Sequence, residues 1–246
     1  MADRPIIFSA PMIRALLDGR KTQTRRVVKN VPPQPESRCA PGNTARHPEP
    51  YLDAYCGEHK TAANPRGMSR DWHWWQLDDR PGPLAFRLPY APGDRLWCKE
   101  GCVVGFDIDD NDRPIGDRKV WYRATDTGLR WYDPDSESML DNPPWKPSIH
   151  MPRWASRLTL LVIDVRVQRL QEISEADARA EGVLPDGFEG YRGHEGTLGY
   201  PTAIWAFRHI WHTIHGPDAW DANPWVAAIS FTVHRCNIDK MEEGTW

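Results

Sequence analysis

The sequence predicts a mixed α+β chain: a β barrel or sheet decorated by two or three helices. Three observations carry this expectation. Leu158-Thr-Leu-Leu-Val-Ile163 is apolar on both faces and runs on into the alternating Val165-Arg-Val-Gln-Arg169, and Trp225 to Val233 is a second apolar run, so both read as strands of a core. Pro201 opens a helix on which Ile204, Phe207, Ile210, Trp211 and Ile214 form one apolar stripe, stopped by Gly216-Pro217. The remaining segments are polar and rich in proline, as long loops are. A single domain over residues 1–246 is expected, with insertions at about 30–85, 106–118 and 184–200.

In order along the chain, Pro5 to Phe8 reads as a first short strand. Ser9 is a helix N-cap, Pro11 sits in the first turn, Met12, Leu16 and Leu17 recur at helical spacing, and Gly19 is a natural stop. Residues 20–28 then look extended. From about 30 to 85, nine prolines interrupt polar sequence without a sustained period, too long for an ordinary connection. That stretch is an insertion, a functional lid or partly disordered, with Asp71-Trp-His-Trp-Trp-Gln76 as its one sticky island. Gly93-Asp94 is a turn before a half-buried strand, Arg95 to Glu100. Lys119 to Ala124 and Leu129 to Tyr132 resemble a hairpin around Asp126-Thr-Gly128. Ser174-Glu-Ala-Asp177 is a capping-box-like start for a short helix through Glu181, stopped by Gly182. The five glycines of 184–200 predict a mobile loop.

Composition narrows the function. A formal net charge of −3 excludes a protein that coats nucleic acid by its overall field, so any such contact is a local patch. Five scattered cysteines do not form a disulfide framework, and Cys98 and Cys102 lack a second pair at metal spacing. His209, His212 and His215 lie three apart and drift around their helix, so no metal and no cofactor are expected. The first residues have no signal-peptide pattern and no apolar run approaches the ~20 residues of a membrane span, which fits a reducing cytoplasm and no membrane partner. Thirteen tryptophans are mostly structural, but several at one concave surface make a base-stacking platform. Phosphate-loop, dinucleotide and serine-hydrolase motifs are absent.

Arg20-Lys-Thr-Gln-Thr-Arg-Arg26 is the most informative segment, with four cations and two hydroxyls in seven residues delivered by a packed helix. Arg20, Arg25 and Arg26 depress the pKa of Lys21 and favour an anion nearby, and Thr24 becomes a nucleophile if a base takes its proton. The alternative is a solvated basic edge on which Thr22 and Thr24 are outward β-formers. Glu100, closing its strand, is the carboxylate best suited to pair with Lys21, or else forms a surface ion pair. In Trp220-Asp-Ala-Asn-Pro-Trp225, Asn223 and Trp225 face a ligand as an amide beside a stacking ring, or else form a structural corner.

Phe8 to Arg26 resembles the opening signature of ASCH-domain proteins, a helix followed by Gly-x-Lys-Thr-x-Thr-x-Arg. Gly93-Asp-Arg-Leu-Trp-Cys-Lys-Glu100 is similar to the family's Gly-Asp-x-Leu-x-Val strand. Pro147 to Arg157, Ile173 to Gly182 and Trp220 to Trp225 look like the larger version carried by bacteriophages and prophages. The resemblance implies a PUA-like fold, a small twisted β barrel with flanking helices, whose cleft binds RNA or a nucleoside. One branch, the bacterial acetylcytidine amidohydrolases, works with a Lys, a Thr and a Glu. Lys21 and Thr24 match the first two. The resemblance places the glutamate on the strand before the capping-box helix, where this chain has Leu161, so Glu100 or Asp164 would have to stand in. Other members are ribonucleases.

The expected cleft is therefore lined by Lys21, Thr24 and Glu100 as catalytic candidates, with Arg20, Thr22, Arg25, Arg26, Trp97, Trp154, Asn223 and Trp225 as ligand-binding ones. The expected function is binding of RNA, single-stranded DNA or a modified nucleoside or nucleotide. The alternatives are a hydrolase acting on a modified cytidine or on RNA, and a phage protein that inhibits a host protein.

Overall fold

The computed structural model describes residues 2–36, 50–75, 81–108, 114–129, 131–133, 138–140, 142–186, 190–194 and 199–241. Strand β1 (Asp3–Ile7), helix α1 (Ala10–Leu17) and strand β2 (Gln23–Val27) come first, followed by β3 (Tyr51–Cys56), β4 (Met68–Trp75) and β5 (Pro81–Arg87). Next are β6 (Arg95–Lys99), β7 (Cys102–Ile108), β8 (Pro114–Tyr122) and the short β9 (Trp131–Asp133) and β10 (Ser138–Leu140). The long β11 (Thr159–Arg169) leads to helix α2 (Glu175–Ala180) and three two-residue strands, β12 (Leu184–Pro185), β13 (Tyr191–Arg192) and β14 (Gly199–Tyr200). Helix α3 (Ala203–His215) and strand β15 (Trp225–His234) complete the fold.

The fold is mixed α+β and rich in sheet. Its centre is a five-stranded sheet in the order β1-β6-β11-β15-β2. β11 pairs with β15 along its whole length, from Thr159 opposite His234 to Arg169 opposite Trp225, with a bulge at Ile163. β1 and β6 run parallel, and β6 is antiparallel to β11. This sheet is not closed into a barrel among the described residues. Its two edge strands are instead joined through a side chain: Arg26 on β2 donates to the Ile7 carbonyl of β1 at 2.8 Å. No helix among the described residues is long and apolar enough to cross a membrane.

The core sits on one face of this sheet. Ile6, Leu96, Leu160, Val162, Ile229 and Phe231 pack with Ile13 and Leu16 of α1 and with Met68 and Trp72 of β4. Each such side chain contributes about 1.5–3 kcal/mol on burial. A second cluster joins Phe207, Ile210 and Trp211 of α3 to Leu170, Ile173, Ala178 and Val226.

Helix α2 starts at its expected cap, while α3 starts two residues past the expected Pro201. The Ser174 hydroxyl accepts from the Asp177 amide, and Thr202 accepts from that of Trp205. Ser9 precedes α1 without a side-chain cap bond.

The insertions are more ordered than expected where they are described. Within 30–85, β3, β4 and β5 form an antiparallel sheet, and Trp72 and Phe86 stack at 6.3 Å between ring centres. β7 and β8 pair antiparallel, so the described parts of 106–118, residues 106–108 and 114–118, lie in strands; the rest of that expected insertion lies outside the described residues. The expected hairpin of 119–124 with 129–132 is corrected likewise: β8 pairs with β7, and β9 with β10. Residues 184–200 contribute the small β12-β13-β14 sheet.

Candidate functional site

Gly19, at φ +73°, ends α1 and turns the chain into the basic segment. There Lys21 is fully buried, although a lone lysine resists burial. Its ammonium donates to Oε2 of Glu181 at 2.8 Å and to the Glu181 carbonyl at 2.9 Å. Arg25 donates to Oε1 of Glu181 and Oδ2 of Asp177, each at 3.1 Å, and Gln23 reaches Oδ1 of Asp177 at 3.2 Å. Lys21, Gln23 and Arg25 alternate along an extended segment, while Asp177 and Glu181 lie one helical turn apart. The two periodicities face one another and pin α2 to the edge of the sheet. Gly182 makes this possible: at φ +95°, a Cβ there would lie 3.0 Å from Cβ of Lys21 and 2.9 Å from that of Ala15.

Burial lowers the pKa of Lys21, with help from Arg26 and Arg25 and against the pull of Glu181. Burial pushes the Asp177 carboxyl up, but the hydrogen bonds and charges of Arg166, Arg25 and Gln23 outweigh it and hold the group below its usual range. A carboxylate with a lowered folded pKa stabilises the fold above its unfolded value and loses that contribution as pH falls through the folded one. In acid titrations followed by circular dichroism, Asp177→Asn should therefore flatten the loss of stability below about pH 4. A variant as acid-sensitive as the wild type would show that Asp177 does not carry the effect.

The other cations of the segment are also engaged. Arg20 donates to the Gly182 carbonyl at 2.6 Å and pairs with Asp18 at 2.7 Å. Arg26 lies over the Phe8 ring at 5.3 Å, and Lys21 lies over the same ring at 5.7 Å. Thr22 is exposed and Thr24 is buried on β2 opposite Ile229.

Glu100 does not pair with Lys21. It is 1% exposed and takes a two-pronged grip from Arg157, with Nε to Oε1 and Nη2 to Oε2 both at 2.9 Å. The guanidinium rests on the Tyr122 ring at 3.9 Å, and its Nη1 donates to Thr125 at 3.1 Å. Burial raises the Glu100 carboxyl above its usual range, Arg157 opposes this, and Asp126 adds to the rise.

Glu100 lines a cavity of about 450 Å³ with Phe8, Ser9, Arg123, Trp145 and Lys146. The cavity opens just past the carboxyl ends of the parallel strands β1 and β6, where Phe8-Ser9 and Glu100-Gly101 leave the sheet. Backbone bonds place its rim: the Arg123 amide donates to Gly101 at 2.8 Å and that of Lys146 to Cys102 at 2.9 Å. Lys21 and Arg26 do not line this cavity; both lie over the ring of Phe8, which does. Glu181 lines a second, apolar cavity of about 320 Å³ with Met12, Ala15, Ile210 and Ile214.

The remaining expected residues lie elsewhere. Lys99 sits over Trp97 at 5.4 Å, and Trp154 is 51% exposed with Arg118 over it at 6.0 Å. Asn223, at φ +40°, accepts from the Gln171 amide at 2.9 Å, and Trp225 meets Trp74 edge-on under Arg169, which makes this segment a corner between α3 and β15. Leu161 packs with Ala63 and Met241, and Asp164 pairs loosely with Arg166 at 3.6 Å. No group of three potential metal ligands occurs among the described residues.

Sequence reasoning missed Glu181, Arg157, Arg123, Trp145 and Lys146. A signal existed for Glu181, in the turn spacing of Asp177 and Glu181 opposite alternating Lys21, Gln23 and Arg25. None existed for the cavity rim, which three distant loops assemble. Compared with models of protein families, with curated proteins and with solved structures, the chain matches none.

Proposed function

We propose that this protein binds a single nucleotide, free or as one unit of a single strand, in the cavity beyond β1 and β6. The observation that carries this reading is the cavity's composition. Trp145 supplies a ring for stacking, Glu100 an oriented acceptor, and Arg123 and Lys146 two cations that form no ion pair among the described residues. Phosphate contacts position a nucleotide while base-edge contacts select it. A local basic rim on a chain of net charge −3 suits one ligand rather than a coated duplex. The resemblance to ASCH-domain proteins points the same way, and we read the open sheet as a PUA-like barrel whose gap Arg26 spans.

A second reading, amide hydrolysis on a modified cytidine, is favoured by the Lys21–Glu181 pair. Burial draws Lys21 toward the neutral form that acts as a base. It would take a proton from water as the water oxygen attacks the acyl carbon; the amine would leave with a proton, and the acyl group would depart as its carboxylate. Thr24, on the opposite face of the same segment, is not its partner there. Lys21 is fully buried, so this chemistry requires the structure around it to open.

Titrating the protein with mononucleotides and short single strands, with product analysis on acylated cytidine alongside, tests both readings. Nucleotides should quench tryptophan fluorescence saturably, and Trp145→Ala should weaken binding by about 1–3 kcal/mol. Absence of saturable binding by any nucleotide or strand overturns the first reading. Turnover that Lys21→Ala abolishes would establish the second.

A further inference from the structure

We infer that the ligand is a single-stranded nucleic acid whose next nucleotide leaves the cavity along β8, on Trp121 and Lys119. The inference rests on the nucleotide-binding reading. Alternate side chains of a strand point to opposite faces. One face of the β7–β8 pair is spent on the fold: Cys102, Val120 and Tyr122 pack with Met151 and Ala155, and Arg118 lies over Trp154. The opposite face carries Lys119, Trp121 and Arg123 in a row. Across the ladder Lys119 meets Gly105, Trp121 meets Val103, and the Arg123 amide bonds Gly101, so both cations stand beside glycines.

Arg123 belongs to both regions, because it also lines the cavity with Trp145 and Lys146. Arg123 and Lys119 are exposed, and Trp121 is half-buried. Trp131 holds the Trp121 ring, meeting it edge-on with 5.5 Å between ring centres. Gly105 leaves room for this contact, since a Cβ there would lie 2.5 Å from the Trp131 ring. The row stops beyond Lys119, where the register shifts and Gly116 turns the backbone to φ +71°.

Residues two apart on a strand are about 6–7 Å apart, close to the reach of one nucleotide in an extended chain. A nucleotide in the cavity with its phosphate on Arg123 therefore brings the next base to the level of Trp121. Lys119, now over that ring at 5.4 Å, would exchange it for the next phosphate as the base stacks. Cations alternating with an indole ring suit a single strand, in which phosphates and unpaired ring faces also alternate. A duplex hides its ring faces, and a free nucleotide leaves the second ring unused.

Calorimetric titration of the whole protein with UMP, dTMP and the tetramer of each tests this. A tetramer should bind about ten- to a hundredfold more tightly than its mononucleotide, the gain from one more stacked base. Lys119→Ala should lower the slope of log K against log salt for the tetramer by about 0.7, the value for one phosphate of a single strand. Trp121→Leu, which keeps an apolar side chain against Trp131, should narrow the gap between tetramer and mononucleotide. Should that variant not fold, the exposed Lys119 decides through the slope. Tighter binding of the ribose or the deoxyribose tetramer would assign the strand as RNA or DNA. Mononucleotides binding as tightly as tetramers, or a tetramer gain and salt slope that neither variant reduces, overturns the path along β8 and leaves the nucleotide site standing. No binding by any of these probes overturns both.

Discussion

Glu181→Leu should cost about 3–5 kcal/mol of folding free energy, the loss expected when one partner of a buried ion pair is removed. The reason lies in what remains. Lys21 is fully enclosed and loses its carboxylate, and Arg25 loses one of its two. Urea denaturation at neutral pH reads the effect directly. Combining it with Lys21→Met should restore much of the loss, because an apolar pair of similar volume no longer carries an uncompensated charge. A loss below about 1 kcal/mol, the range of exposed ion pairs, would mean that Lys21 finds another partner or water. The same two variants separate structure from chemistry. A stable double variant that binds nucleotides as well as the wild type would assign the pair to the scaffold.

Arg157→Met should be comparably damaging and should depend on pH. Glu100 would keep its burial and lose the cation that opposes it, so its carboxyl would rise further. A carboxyl whose folded pKa lies above its unfolded value binds more protons in the folded state. Stability then falls as pH rises from the ordinary glutamate range through the folded value. The variant should therefore be least impaired in mild acid and most impaired at neutral pH, by about 3–5 kcal/mol. Denaturation curves across that range measure it, and adding Glu100→Gln should remove the slope. A pH-independent loss would assign the damage to lost packing on Tyr122 instead. Nucleotide binding should disappear with Arg157 even where the fold survives, since the carboxylate loses its orientation.

The same two ion pairs show how far the sequence could be read. The strands and helices around them were legible because periodicity and caps are local. Ser174 capped α2, Gly216 ended α3, and the apolar run from Leu158 to Leu170 became the sheet's longest strand. The hairpin at 119–132 was misread because a turn signal says where a chain reverses, not which strand it meets. β8 found β7 through the register of Val103 with Trp121 and Val104 with Val120. Glu181 was legible in outline, as half of an acidic pair at helical spacing, but Lys21 stands 160 positions away. Glu100 looked like its natural partner because each closes a local element.

What the sequence by itself determined was the class of fold, the positions of its main elements, and a charged segment following α1. Those follow from backbone preference and side-chain polarity over a few residues. Only the tertiary structure decided the pairings: Lys21 with Glu181, Glu100 with Arg157, and the cavity that gathers Phe8, Arg123, Trp145 and Lys146. A buried charge must be matched within hydrogen-bond reach, and which of many opposite charges arrives there depends on how the sheet and its loops close in space. The basic segment thus turned from an exposed anion site into the seam joining α2 to the sheet, with the candidate ligand cavity on the far side of Phe8.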